Sequence, residues 1–193
     1  MKRTLIIATV LLSTVVFLLP ASAGPIDSYL DGPWLEFRFD GTDSWAYACT
    51  SELCAESSGA NSIYLDKPAW TFTMASPVRL MITDAFTRGD TFKVFDDGTL
   101  LLTTPYVMPD YYIPPQIVCA DPENCFGYEG FSFGSLNLAA GSHSLTIQAA
   151  DSPFGYGAAF FRIDRIIGTP EPLSLVLLAL GLSGLGAVRR SRS

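Results

Sequence analysis

Histidine is almost missing from this chain: 193 residues contain one, His143, and only 12 lysines and arginines stand against 19 acidic residues. One histidine excludes a histidine-rich metal centre and makes any serine–histidine catalytic arrangement depend on a single side chain. The shortage of basic charge is sharper in the middle of the chain. Lys2, Arg3, Arg189, Arg190 and Arg192 lie near the two ends together with one acid, Glu171, so residues 24–168 carry 18 acidic and 7 basic residues, a formal net charge of -11. Such a surface repels phosphates, and neither nucleic acid nor anionic lipid is expected as a partner. Amphipathic helix is lacking too: from Gly24 onward the apolar residues recur with the two-residue period of strands, broken often by turn residues. No phosphate-binding glycine loop, metalloprotease helix motif or carboxylate pair recognisable as a glycosidase site is present.

The ends of the chain differ from its middle. Lys2 and Arg3 precede an apolar run, Leu5 to Leu19, and Ala21-Ser22-Ala23 supplies the small residues of a cleavage site. This pattern is expected to be a secretory signal peptide, residues 1–23, handled by the general secretion machinery and cut by signal peptidase after Ala23. At the other end Pro170-Glu171-Pro172 stands before the mostly apolar stretch Leu173 to Val188, which is followed by Arg189, Arg190 and Arg192. As a helix, residues 173–188 would be roughly 24 Å long, at the short end of what crosses a bilayer. The arginines favour retention of that end in the cytoplasm, with the rest of the chain outside.

This succession of a rigid polar tripeptide, an apolar segment and an arginine cluster resembles the PEP-CTERM sorting signal of exported proteins in Gram-negative bacteria that make exopolysaccharide. The resemblance covers residues 169–193. It implies an exosortase-like membrane protease that recognises Pro170, Glu171 and Pro172 and removes the anchor, with Arg189, Arg190 and Arg192 completing the signal. The two prolines would keep the recognition segment extended and outside the helix. A plain C-terminal membrane anchor is the rival reading.

The four cysteines form two local pairs, Cys49 with Cys54 and Cys119 with Cys125. Outside the cytoplasm they are expected to form two short-loop disulfides, each worth roughly 2 kcal/mol on the chain-entropy model. A four-cysteine zinc site is the alternative, but the spacing from Cys119 to Cys125 is wide for a zinc knuckle and exported thiolates oxidise.

Between the ends, residues 24–168 have one domain's length. Strands are expected over Trp34 to Asp40, Ser44 to Ala48, Ala69 to Met74, Val78 to Asp84, Phe131 to Leu138, Ser142 to Ala149 and Ala158 to Ile167. Thr91 to Thr104 reads as a hairpin turning at Asp97-Gly98, a pair suited to a type I′ turn, with Phe92 and Val94 on one face and Lys93 on the other. His143, Leu145, Ile147 and Ala149 share one strand face. Pro105, Pro109, Pro114, Pro115 and Pro122 keep residues 104–130 from forming a central strand. About nine short strands with long connections predict an all-β fold, a jelly-roll-like antiparallel β-sandwich. The run TDAFTRGDTFKVFDDG, then LAAGSHSLTI and GAAFFRID, resembles an uncharacterised group of secreted bacterial β-sandwich proteins that often carry the same tail. That resemblance spans about Trp70 to Ile167 and implies a fold without catalytic residues.

Three constellations are candidate sites. Gly130-Phe131-Ser132-Phe133-Gly134 fits the G-x-S-x-G nucleophile pattern, yet strand-like residues continue on both sides where the elbow needs a helix, and His143 is its only available base. Asp84 and Asp90 lie at one end of the expected sheet and could share a calcium ion, whereas Asp96 and Asp97 are a strand's length away. Tyr111, Tyr112 and Tyr128, with Tyr156 in the loop before the last strand, could stack on sugar rings; the competing reading is that the loop aromatics, including Tyr106, Phe126 and Phe154, pack the loops onto the sheets. The sequence thus leads to an exported, non-enzymatic envelope or extracellular-matrix protein, held transiently in the inner membrane and associated with exopolysaccharide. A carbohydrate-binding module is the alternative, and a secreted hydrolase using Ser132 and His143 the third. No cofactor is expected.

Overall fold

The computed structural model describes residues 24–50, 54, 56–59, 62–109 and 117–166. The expected leader, the tail with Pro170, Glu171, Pro172, Arg189, Arg190 and Arg192, and the loop positions Tyr111 and Tyr112 lie outside these residues. Among the described residues no helix is long and apolar enough to cross a membrane.

The fold is all-β. In chain order the elements are β1 (Gly24–Pro25), a single 3-10 turn (Asp27–Tyr29), β2 (Trp34–Phe39), β3 (Tyr47–Ala48), β4 (Ser62–Tyr64), β5 (Trp70–Met74), β6 (Val78–Asp84) and β7 (Phe86–Thr87). They continue with β8 (Thr91–Asp96), β9 (Thr99–Thr103), β10 (Val118–Cys119), α1 (Pro122–Cys125), β11 (Phe133–Leu138), β12 (Gly141–Asp151) and β13 (Gly157–Arg165). One sheet has the order β1-β5-β12-β8-β9 and the other β11-β6-β13-β2-β3, with β4 added beside β2 and β10 paired to β7. All pairings are antiparallel except β1 with β5 and β4 with β2.

The sheets face each other across one apolar core, giving a sandwich-like arrangement. Trp70, Phe72, Phe92, Val94, Leu145 and Ile147 come from the five-stranded sheet; Leu35, Phe37, Phe39, Leu80, Ile82 and Phe161 come from the six-stranded one. Phe92 meets Phe37 and Phe39 edge-on, with ring centroids 5.5 and 5.3 Å apart, a favoured aromatic geometry. His143, Leu145, Ile147 and Ala149 do share the inward face of β12, and Phe92 and Val94 point inward while Lys93 is half-buried. The β8–β9 turn is as expected: Asp97 and Gly98 have φ of 47° and 77°. Val94 pairs with Leu102 and Phe95 with Leu100, so Leu101 is an extra residue in β9.

The expected strand Ser44 to Ala48 is reduced to β3 and an isolated bridge from Trp45 to Gln148. β1, β4, β7 and β10 lie outside the expected strands, because elements of two or three residues are too short to show a period.

The outer face of the six-stranded sheet is covered. Trp34, Met81, Ala85, Phe160 and Cys125 form a second apolar cluster, with Phe86, Cys119 and Phe126 against it. Both disulfides, Cys49–Cys54 and Cys119–Cys125, are present and belong to this cover. Cys49 Sγ lies 3.2 Å from Glu36 Oε1, a carboxylate of β2 that is fully buried. The two disulfide segments are tied to each other: Ser58 N–H and Ser57 Oγ–H both donate to Ala120 C=O at 3.0 Å. α1 starts on Asp121, whose side chain accepts from Glu123 N–H at 3.1 Å, with Pro122 in the first turn. Glu123 Oε2 then accepts from Trp34 Nε1–H at 2.7 Å and from Arg162 at 2.6 Å, while the Arg162 guanidinium sits 4.9 Å over the Trp34 ring.

Candidate binding cavity

A cavity of about 450 Å³ opens at the end of the six-stranded sheet, where this cover stops. Arg38 of β2 and its cross-strand neighbour Ala158 of β13 contribute one side. Phe86 and Asp90 come from the β6–β8 connection, and Phe154 and Tyr156 from the β12–β13 loop. Its volume lies within the ~300–1,000 Å³ range of small-molecule sites.

Asp84 organises the β6–β8 connection. It is fully buried, and its carboxylate accepts Ala85 N–H at 2.8 Å on Oδ1 and Gly89 N–H and Asp90 N–H at 3.0 and 3.2 Å on Oδ2. A bend wound around a carboxylate in this way pairs backbone donors that the sheets leave unused. It also brings Phe86 to a φ of 62°, in the left-handed region where a bulky residue is strained. Asp90 is delivered to the cavity wall with only 5% of its surface exposed, and its Oδ1 has no hydrogen-bond partner. Burial pushes the Asp90 carboxyl up to about 6; the nearby Ser152 hydroxyl opposes this and the Asp151 charge adds to it. Ser152 Oγ itself closes no hydrogen bond, so it acts on Asp90 as a neighbouring dipole. Asp84 is raised well above the usual carboxylate range, first by burial and then by the charge on Asp90.

Arg38 supplies the opposite sign. Its Nε is buried without a hydrogen-bond partner, in a side chain that is half-buried at the cavity. Tyr156, 70% exposed, and the half-buried Phe154 add aromatic surface. An unpaired acceptor, an unpaired donor and an exposed ring suit a ligand with hydroxyl groups that both donate and accept and an apolar face that stacks.

The other candidate residues are distributed elsewhere. Asp84 and Asp90 do meet, as the calcium reading requires, but the Asp84 carboxylate already accepts from three backbone N–H donors. Among the described residues the only grouping of three metal-type ligand atoms is Glu36, Cys49 and Cys54, whose two sulfurs are joined to each other. Asp96 belongs to a different site: its Oδ2 is 2.7 Å from His143 Nδ1 and its Oδ1 accepts Ser144 N–H at 2.8 Å. His143 Nε2 is 3.0 Å from Ala139 C=O, and the ring stacks on Phe72. Ser132 is engaged separately, its Oγ 2.6 Å from both Thr104 Oγ1 and Pro105 C=O, and β11 follows it where a nucleophile elbow needs a helix. Ser132 and His143 therefore form no dyad.

Tyr156 lines the cavity, whereas Tyr128 stands against Phe131 and Gly130 and takes no part in it. Arg38 was not singled out from the sequence. In WLEFRFD it reads as a solvent-facing charge between core phenylalanines, and nothing local says that loops 48 and 118 residues away will wall it in. No protein-family model, curated protein or solved structure matches the chain.

Proposed function

We propose that this chain is an exported, non-enzymatic protein of the cell envelope or extracellular matrix, sorted and processed through a PEP-CTERM-type tail, and that its ectodomain binds exopolysaccharide at the cavity between Arg38, Asp90 and Tyr156. Eight strands of five or more residues in two facing sheets support the jelly-roll-like reading of the ectodomain. Two disulfides are compatible with an oxidising compartment. Ser132 and His143 have separate partners, which favours binding over hydrolysis.

The observation that carries the binding reading is a cavity whose wall includes the buried Asp90, with an unpartnered Oδ1, together with Arg38 and an exposed tyrosine. Leaving a buried acceptor unmade costs about 1–3 kcal/mol, a cost that a bound hydroxyl would remove. Affinity electrophoresis or calorimetry against the host's own polysaccharide tests it. Tyr156→Ala and Asp90→Asn are each expected to weaken binding about tenfold, equivalent to ~1.4 kcal/mol; unchanged binding by both variants would remove the cavity from the function. The sorting half is tested by intact mass and location in strains with and without the candidate exosortase: loss of the tail only when the protease is present is expected. A full-length membrane-held form in both strains would make residues 173–188 a plain anchor.

A further inference from the structure

We infer that Gly24 is the mature N-terminus and that its free ammonium, created by removal of residues 1–23, is a structural group that locks β1 onto the five-stranded sheet. The inference rests on the export reading, since it needs the leader to be cut after Ala23, and it goes beyond that reading by giving the new terminus a structural role.

Gly24 is buried, is paired with Trp70 as the first residue of β1, and its nitrogen points at two carbonyl oxygens, those of Lys67 at 3.1 Å and Ala69 at 3.0 Å. A peptide amide has one hydrogen to share between them. An ammonium has three and a positive charge, and charge-assisted hydrogen bonds are roughly twice as strong as neutral ones.

The surroundings also explain the residue type. A Cβ on Gly24 would stand 2.7 Å from the Lys67 oxygen, so the close approach of nitrogen to carbonyl is open only to glycine. β1 then continues through Ile26, whose N–H donates to Thr71 C=O at 2.9 Å and whose side chain is in the core. The edge of the sheet is thus held at its first atom. Before cleavage the same nitrogen is an ordinary amide continuing into the leader, so the last of the stabilisation arrives only after the chain has been cut. A precursor that is less stable than its product suits passage through a secretion channel, which takes unfolded chains.

The full chain, expressed with its leader and exported, decides the matter. Intact mass and N-terminal sequencing should show a protein beginning at Gly24. A variant with Asp-Thr inserted between Ala23 and Gly24 should melt about 2–4 °C lower once processed, because its Gly24 nitrogen is again an amide. The second readout is the rate at which an α-amine-selective acylating reagent modifies the folded protein near neutral pH. The Gly24 amine should react about tenfold or more slowly than the new terminus of the insertion variant, as befits a group that must open locally to react. Export with processing at any other bond would overturn the inference while leaving the export reading in place, and so would equal reaction rates or equal melting temperatures. A chain retained uncut in the cytoplasm would overturn both. If the inserted chain does not accumulate, the amine reactivity of the native chain, folded against denatured, still decides.

Discussion

In the five-stranded sheet, β12 buries His143, Leu145, Ile147 and Ala149 and leaves the residues between them partly exposed. In the six-stranded sheet, β13 buries Ala158, Ala159, Phe160 and Phe161 in a row, and β2 buries Trp34 through Phe37. One sheet has a covered face and an open face; the other is covered on both. The second cover consists of chain that has little strand or helix of its own, stapled by two disulfides and joined at Ala120. The difference teaches where to look for function. At the margin where the cover of this sheet ends, Arg38 of β2 and the buried Asp90 of the β6–β8 connection line the cavity.

The strongest way to break this comparison is at adjacent residues of β13. Phe161→Ala removes a ring from the central core, where it contacts Phe37 and Trp70, and Phe160→Ala removes one from the outer cluster against Phe86. Both should cost roughly 3–5 kcal/mol in denaturant unfolding. If the outer face were open, the second would cost under about 0.5 kcal/mol, as a surface change does. Thr146→Ala, on the open face of β12, is the control and should stay within about 0.5 kcal/mol.

Next in size is the staple. Cys119→Ser with Cys125→Ser should lower stability by about 2 kcal/mol for a loop of this length and loosen the cluster around Trp34, seen as a change in tryptophan fluorescence. An unchanged spectrum would mean that the cover holds without its bridge.

The smallest effect sharpens the comparison at the cavity. The Asp90 carboxyl is raised from an ordinary 3.8 to about 6, so the folded protein binds a proton more tightly than the unfolded one. Stability linked to this group is therefore fully present below about pH 4 and is lost as pH rises through about 6. Asp90→Asn should raise stability at pH 7 by roughly 1–2 kcal/mol, and by little at pH 4. Urea melts at the two pH values test this; equal effects at both would deny that burial of the charge is what matters. The same substitution is expected to weaken polysaccharide binding, so stability and affinity should move in opposite directions.

Much of this was legible from local pattern. The inward face of β12, the Asp97-Gly98 turn and the limits of β6 follow from alternation and turn chemistry, which act over a few residues. The two cysteine pairs were also readable, since each closes a loop of five or six residues. Their common placement was not, because the Cys49 and Cys119 segments lie 70 residues apart and meet only over β2 and β13. β2 shows the same limit: WLEFRF suggests an outer row of Trp34, Glu36 and Arg38 facing water, yet Trp34 and Glu36 are buried and Arg38 lines the cavity.

What the sequence determined by itself is the class of the fold, the alternation of its inner faces and the chemistry of its turns, all of which depend on neighbours along the chain. What only the tertiary structure decided is which acids lose water and which keep it. Asp84, Asp90, Asp96 and Asp97 look alike as turn aspartates, but Asp84 is wrapped in backbone N–H groups, Asp90 is buried with one oxygen that accepts no hydrogen bond, Asp96 meets His143 and Asp97 stays exposed. A carboxylate's behaviour is set by desolvation and by the donors around it, and both come from parts of the chain far from it in sequence.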